Sequence, residues 1–389
     1  MKPNRGVGYR DVRVLPNREM ALEQTLLKWV RSTEQFRQSA ASGQSALDIG
    51  YFANVIRLTD ELGLAMTTDG VGTKVLVAEM LGRYDTIGID CVAMNVNDIL
   101  CVGAEPMSML DYIAIEKATP AVLEAIGQGL HEGARQAGIN IVGGEIAQMG
   151  EIIRGVREGD GLDLIGMCVG LVKLKEINVG QNVAIGDVII GLRSSGIHSN
   201  GLTLARRVLF EQAGFRPDTY LSALGRTVGE ELLEPTRIYV PEIRDLLGKG
   251  MPIKALVNIT SDGFFNLARI RPSVSFEITA LPEELPIFSL IQEIGSIKDS
   301  EMYQVFNMGI GFCLIAPNDR QMLADIHDVV RSHGGESFEI GHVVDDPRRL
   351  VRIPKNNLIG VNEQFFEGNT QEAATLEAEA DLTSRGYQR

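Results

Sequence analysis

Long apolar runs are what this chain most lacks. None approaches the ~20 residues that a membrane span needs, so no membrane association is expected. The opening MKPNRGVGYRDVRVLPNREM has no continuous apolar core of the secretory kind, and the expected location is cytoplasmic. Cysteine is scarce: Cys91, Cys101, Cys168 and Cys313 have no C-x-x-C spacing and lie in apolar segments, so they read as buried thiols rather than disulfides or zinc ligands. The five histidines are scattered without metal-ligand spacing. Positive charge is also short. The 37 Lys and Arg against 51 Asp and Glu leave a net charge of −14, which argues against a nucleic-acid surface, because that needs clustered cations. A charged small-molecule substrate would need cations arranged locally.

What is present is a soluble globular composition, 44% hydrophobic and 23% charged, over 389 residues, enough for two domains of ordinary size. The most informative stretch is TTDGVGTK, residues 67–74. An apolar run (Leu64, Ala65, Met66) delivers Asp69 and Lys74 into a tight turn. Gly70 and Gly72 there let backbone N–H groups approach an anion, Lys74 can answer phosphate charge, and Asp69 at a strand end is placed to hold Mg²⁺. Taken alone, an Asp-Gly turn is also an ordinary β-turn.

Along the chain, residues 21–38 space Leu22, Leu26, Leu27, Val30 and Phe36 as an amphipathic helix with a packing stripe, followed by a loop through residue 50. The segment from Thr86 to Gly103 predicts a helix with one buried face, on which Asn95 and Asp98 share the side away from the apolar stripe. MSMLDYIAI reads as a strand, Thr119-Pro120 as the start of a helix ending at Gly138, INIVGGEI as a strand broken at Gly143-Gly144 with Glu145 beside the break, and LDLIGMCVGLVKL as a further strand. The alternation predicts a mixed α/β first domain ending near Lys175. The second domain opens with GDVIIGL, then RSSGIHSNG, then the helix LTLARRVLFEQAG. Strand, Gly-rich turn and helix start together form an anion-binding arrangement holding His198, Ser199 and Asn200. ALVNIT, SDG and FFNLARI repeat the unit. The expected divisions are an N-terminal helical and loop extension over 1–60, domains over 61–175 and 178–353, and an acidic tail over 354–389.

In order, TDGVGTK (68–74), DTIGIDCVAMNVND (85–98), GAEP (103–106), LDY (110–112), GGE (143–145), GDVIIGLRSSGIHSNG (186–201), EPTRIYV (234–240) and EMYQVFNMGIG (301–311) resemble the aminoimidazole ribonucleotide synthetase, or phosphoribosylformylglycinamidine cyclo-ligase, family. The resemblance implies an α+β (mixed α/β) PurM-like fold of two domains, an N-terminal ATP-binding domain with a mixed sheet and a C-terminal α/β sandwich domain. It also implies a homodimer paired through the N-terminal domains, ATP and Mg²⁺ as cofactors, and a small phosphoribosyl substrate. The implied reaction is ATP-dependent ring closure of formylglycinamidine ribonucleotide to aminoimidazole ribonucleotide in purine synthesis.

On that resemblance Asp69 and Asp98 are the expected metal ligands, with Asn95 and Glu145 beside them. Lys74 is assigned to nucleotide phosphate, together with Gly70, Gly72, Thr73, Gly143 and Gly144. His198 is the expected group for proton handling or for polarising the formamide. Ser199, Asn200 and Gly201 are assigned to substrate or phosphate. Thr236 and Arg237 touch substrate or hold the domain interface, and Asp111 caps or pairs at a strand end. The chain departs from the family pattern upstream of TDGVGTK, at GGEIAQMGE, and at TSDG, where Asp262 would add a metal ligand or repel substrate phosphate. Competing readings are a nucleotide-binding paralogue without turnover and a small-molecule kinase like thiamine-monophosphate kinase. The absence of any cysteine before Cys91 disfavours selenophosphate synthesis.

Overall fold

The computed structural model describes residues 25–362 and 364–368, together with Thr375. Helix α1 occupies residues 25–32 and ends in a tighter turn, Thr33–Phe36. Most of the expected stripe on it is open to solvent: Leu26, Val30 and Phe36 are exposed, Trp29 beside them is 70% exposed, and Leu27 is half-buried. Residues 21–24 of the expected helix lie outside the described residues.

The first domain is a five-stranded sheet, β1 (Asn54–Arg57), β2 (Leu62–Gly70), β3 (Glu105–Ile115), β4 (Asn140–Gln148) and β5 (Leu162–Lys173), in the order β1-β2-β5-β3-β4. Only β3 and β4 run parallel. Because β1 pairs with β2, the sheet begins inside the expected extension, ahead of residue 61. Strand β4 runs unbroken through Gly143-Gly144. Three helices belong to this domain: α2 (Val75–Leu81), α3 (Ile87–Cys101) and α4 (Pro120–Ala137), which Thr119 caps through the N–H of Val122. A Cβ on Gly88 would lie 2.2 Å from the Leu130 nitrogen, so the α3–α4 crossing needs glycine there. These helices cover one sheet face. On the other, alternation leaves Leu110, Tyr112, Met167 and Leu171 open to solvent, and a bulge at Met107, between Pro106 and Ser108, exposes that side chain as well.

Helix α3 overturns the one-faced expectation: nearly its whole length is buried, Asn95 and Asn97 included, because the second domain docks on the side opposite the sheet. That domain carries β6 (Val188–Arg193), α5 (Leu202–Arg206) continued by a wider helical turn to Gln212, the hairpin β7 (Tyr220–Leu221) and β8 (Arg226–Thr227), α6 (Val228–Leu232) and α7 (Val240–Gly248). It continues with β9 (Ala255–Asn258), the helical turn Gly263–Arg269, β10 (Ser275–Ile278), α8 (Pro286–Gly295), α9 (Asp299–Val305), β11 (Ile310–Ala316), α10 (Arg320–Ser332) and β12 (Ser337–Val344). Strands β13 (Val351–Ile353), β14 (Leu358–Val361) and β15 (Gln364–Glu367) complete a sheet ordered β15-β14-β13-β10-β12-β6-β11-β9. Strand β11 is buried at every position, which accounts for its unbroken apolar sequence IGFCLIA. The hairpin β14–β15 corrects the expected tail boundary at 354: the sheet continues to Glu367. Among the described residues, no helix is long and apolar enough to cross a membrane.

Candidate active site

Three carboxylates gather where the first sheet meets α3. The register sets Asp69 of β2 and Asp111 of β3 on either side of Gly166, and Asp111 beside Gly144. Asp69, Gly166 and Asp111 therefore project to the helix-covered face. A Cβ on Gly166 would meet the Met109 methyl at 2.1 Å and Asn95 Nδ2 at 2.6 Å, so glycine keeps this row open. Asn95 does not present a free ligand oxygen in the way expected of it. Its Oδ1 accepts the Asp69 N–H at 3.1 Å, and its Nδ2 donates to the Asp69 carbonyl at 3.1 Å and the Cys91 carbonyl at 2.9 Å. Within the first domain, it fixes the backbone of Asp69 as a paired strand would.

Asp98, one turn along α3, accepts Asn258 Nδ2 from the second domain at 2.9 Å. Burial pushes its carboxyl up to about 7, the Asn258 amide pulls it down, and the charge of Asp69 adds to the rise. Burial likewise raises Asp69, offset by the Gly70 N–H, which donates to it at 2.7 Å, and raises Asp111. None of the three has an ion-pair partner among the described residues, where Arg269, the cation felt by Asp98, is paired with Asp262 at 2.7 Å. Asp262 is thus neither a spare metal ligand nor a free repulsive charge. Glu145 stands apart from the row. It pairs with Tyr112, so alternation turns it to the opposite face from Asp111, and its Oε1 accepts the next residue's own N–H at 3.1 Å. Among the described residues, no three His, Cys, Asp or Glu side chains close into a preformed metal cluster. The donor chemistry still suits Mg²⁺: hard carboxylate oxygens on Asp69 and Asp98, half-buried and without an ion-pair partner among the described residues, are the kind that a divalent cation would stabilise.

The turn after β2 packs onto the second-domain loop. Gly72 holds φ +67°, a conformation that favours glycine, and Thr73 Oγ1 lies 3.0 Å from Thr203 Oγ1. The lysine expected to answer phosphate is buried instead. Lys74 is 0% exposed, its Nζ 2.8 Å from Asp90 Oδ1 with a second bond to the Glu234 carbonyl. The same Asp90 oxygen accepts the Thr236 N–H at 2.7 Å, the Thr236 hydroxyl at 2.6 Å and the Ser199 hydroxyl at 3.4 Å. Lys74, Ser199 and Thr236 therefore form a buried joint between domains, with no face toward an open site.

His198 is likewise turned inward. It sits at φ +66°, and its Nε2 accepts the N–H of Ser195 at 3.2 Å and of Arg237 at 3.5 Å. Burial pushes the imidazole down to about 3, helped by the charges of Lys74 and Arg237. A ring that is neutral at pH 7, with its acceptor nitrogen occupied, orders the loop and is not poised to exchange protons. Asn307 closes the loop: it accepts from the Ser194 hydroxyl at 2.9 Å and donates to the carbonyls of Gly196 and Ile197. Asn200 is half-buried at the loop's end. Gly201 holds φ +85°, and a Cβ there would lie 2.4 Å from the Phe306 ring. Arg237 pairs with Glu242 at 2.8 Å and stacks over Tyr239. Of its two expected roles, this geometry carries the structural one.

Sequence reading missed Asp90, Asn97, Asn258 and Asn307. A signal was available: each is a polar residue inside or beside an apolar run, and a buried polar group requires a partner.

Two family models match the chain, the AIR synthase related protein N-terminal domain over residues 50–172 and its C-terminal domain over residues 184–353. The phosphoribosylformylglycinamidine cyclo-ligase of Methanothermobacter thermautotrophicus is 46% identical over 296 residues, 76% of this chain and 84% of the relative. That of Methanocaldococcus jannaschii is 42% identical over 356 residues, 91% of this chain and 96% of the relative. The chain belongs to the phosphoribosylformylglycinamidine cyclo-ligase family. Among solved structures, a thiamine-monophosphate kinase from Stenotrophomonas maltophilia aligns with TM-score 0.55 at 22% identity, covering 84% of this chain and 95% of that one. PurL of T. maritima complexed with ADP aligns with TM-score 0.51 at 14% identity, covering 79% and 44%. At those identities the likeness bears on fold alone, and it places this cyclo-ligase relative in the PurM-like fold class.

Proposed function

We propose that this protein catalyses the ATP-dependent ring closure of formylglycinamidine ribonucleotide to aminoimidazole ribonucleotide, releasing ADP and phosphate, as a cytoplasmic step of purine synthesis. The observation that carries the reading is the 42% identity kept over 356 residues with a relative of that name. An amide oxygen is a poor leaving group. Transfer of the γ-phosphoryl group to the formyl oxygen turns it into a phosphate leaving group. Attack by the substrate's own nitrogen then closes the ring and expels phosphate. The protein's share is positioning and charge neutralisation.

Asp69 and Asp98 would hold Mg²⁺, with Asp111 close by. Bound there, the ion would offset charge on the β- and γ-phosphates. Asn95 keeps Asp69 in place, and the glycines at 70, 72 and 143 leave backbone free to approach the nucleotide. Asn200, half-buried at the tip of the second-domain loop, is the remaining candidate for substrate contact. The neutral His198 ring and the Lys74–Asp90 pair hold the two loops together and take no part in proton or phosphoryl transfer.

The working unit is a homodimer paired through the open face of the first sheet. Its supports are the apolar Met107, Leu110, Tyr112, Met167 and Leu171 exposed together on that face. Purified full-length protein given Mg²⁺, ATP and formylglycinamidine ribonucleotide should release ADP only when both substrates are present. Nucleotide binding with no release would instead identify a silent family member.

A further inference from the structure

Three side-chain amides, Asn95 and Asn97 on α3 and Asn258 at the end of β9, make bonds at this helix, and each fixes something different. Asn95 holds the backbone of Asp69. Asn97 donates to the Arg237 carbonyl at 2.9 Å and accepts the Tyr239 N–H at 3.1 Å, docking the second domain's 237–239 segment onto the helix. Asn258, at the end of β9 and almost fully buried, contacts α3 twice. Its Nδ2 donates to Asp98 Oδ1 at 2.9 Å, and its N–H donates to Cys101 Sγ at 3.2 Å, one turn further along. The two bonds come from one residue to positions three apart on α3, so they fix both the place and the rotation of the β9 end against Asp98.

The chemistry of the donor matters as much as its place. A lysine or arginine at 258 would orient Asp98 and also cancel its charge. A neutral amide orients one carboxylate oxygen while leaving the full negative charge available to a cation. We infer that Asn258, carried by the second domain, is the positioning residue for Asp98, so that the metal–nucleotide site of the first domain is completed only by docking of the second. This rests on the proposed cyclo-ligase reading, in which Asp98 holds Mg²⁺.

The test is calorimetric titration of the full-length protein with ADP in excess Mg²⁺, beside steady-state kinetics and thermal melts. Wild type should bind. Asn258→Leu should bind at least tenfold more weakly and raise KM for ATP, with KM for the phosphoribosyl substrate unchanged. Asn258→Gln, which keeps the amide, should recover part of the loss. Asp98→Asn combined with Asn258→Leu should bind no more weakly than Asp98→Asn alone, because both remove the same interaction. If Asn258→Leu does not fold, Asn258→Ala carries the same comparison. Wild-type affinity in the Leu or Ala variant, or additive losses in the double variant, would overturn the role of Asn258 while leaving the cyclo-ligase reading intact. A wild type that binds no Mg²⁺–ADP would overturn both.

Discussion

Replacing Lys74 with methionine separates two accounts of the same residue. A phosphate-binding lysine would face the nucleotide, and its loss would weaken ATP binding with little effect on stability. The geometry predicts the reverse. Both side chains of the Lys74–Asp90 pair are 0% exposed. After Lys74→Met, Asp90 Oδ1 would keep the Thr236 N–H and hydroxyl, but its Oδ2 is already buried with no partner among the described residues. Removing one member of a buried pair costs about 3–5 kcal/mol, because the remaining charge stays buried. Asp90→Leu in the same background removes that charge and should return part of the loss. About 1–3 kcal/mol would stay missing, for the Thr236 N–H and the Glu234 carbonyl left without their partners. Urea unfolding with unchanged m-value measures each step. A Lys74→Met variant that loses less than about 1 kcal/mol while its affinity for ADP drops tenfold or more would instead mark Lys74 as a phosphate ligand.

Other expectations concern neighbouring residues. The folded His198 value, about 3, lies below the unfolded value near 6.5, so the unfolded chain binds the extra proton. The contribution is full above pH 6.5 and is lost as pH falls toward 3, at most roughly 4–5 kcal/mol at ~1.4 kcal/mol per unit. His198→Asn, whose side chain tolerates positive φ, should flatten that acid loss in unfolding measured from pH 7 to 4 and leave the neutral pH–rate profile unchanged. Gly201→Ala should cost about 2–4 kcal/mol in the same unfolding assay, from the Phe306 clash and the positive φ together. Asp69→Asn should abolish turnover with an unchanged or higher Tm, since a buried carboxylate without a cation is replaced by a neutral isostere; retained kcat would contradict its metal role. Met167→Asp, in the middle of the open sheet face, should yield a monomer by sedimentation, and a dimer persisting there would place the interface elsewhere.

The fold was legible wherever periodicity and punctuation agreed. Thr119, Pro120 and Gly138 bounded α4, and the unbroken apolar run of β11 announced a strand buried on both faces. Legibility stopped at contacts made by residues far apart in sequence. Helix α3 looked one-faced because periodicity shows that a polar residue is present and cannot show that a second domain will cover it. Asn95, Asn97 and Asp98 are all satisfied by partners 26 to 160 residues away. The two loops were read as one site from their glycines and charged residues, yet Lys74 and His198, the side chains that suggested phosphate and proton chemistry, lock the loops together. The apolar stripe of α1 was read as packing because composition cannot distinguish a stripe that meets this chain's core from one that does not. Strands β14 and β15 were hidden by short length and by Asn356-Asn357 and Asn362 at their turns.

The most direct measurement is the product balance of the full-length protein supplied with Mg²⁺, ATP and formylglycinamidine ribonucleotide. One aminoimidazole ribonucleotide is expected for each ADP, with both lost together in Asp69→Asn. ADP formed with a phosphorylated, uncyclised product, or no ADP from wild type at all, would contradict the cyclo-ligase reading.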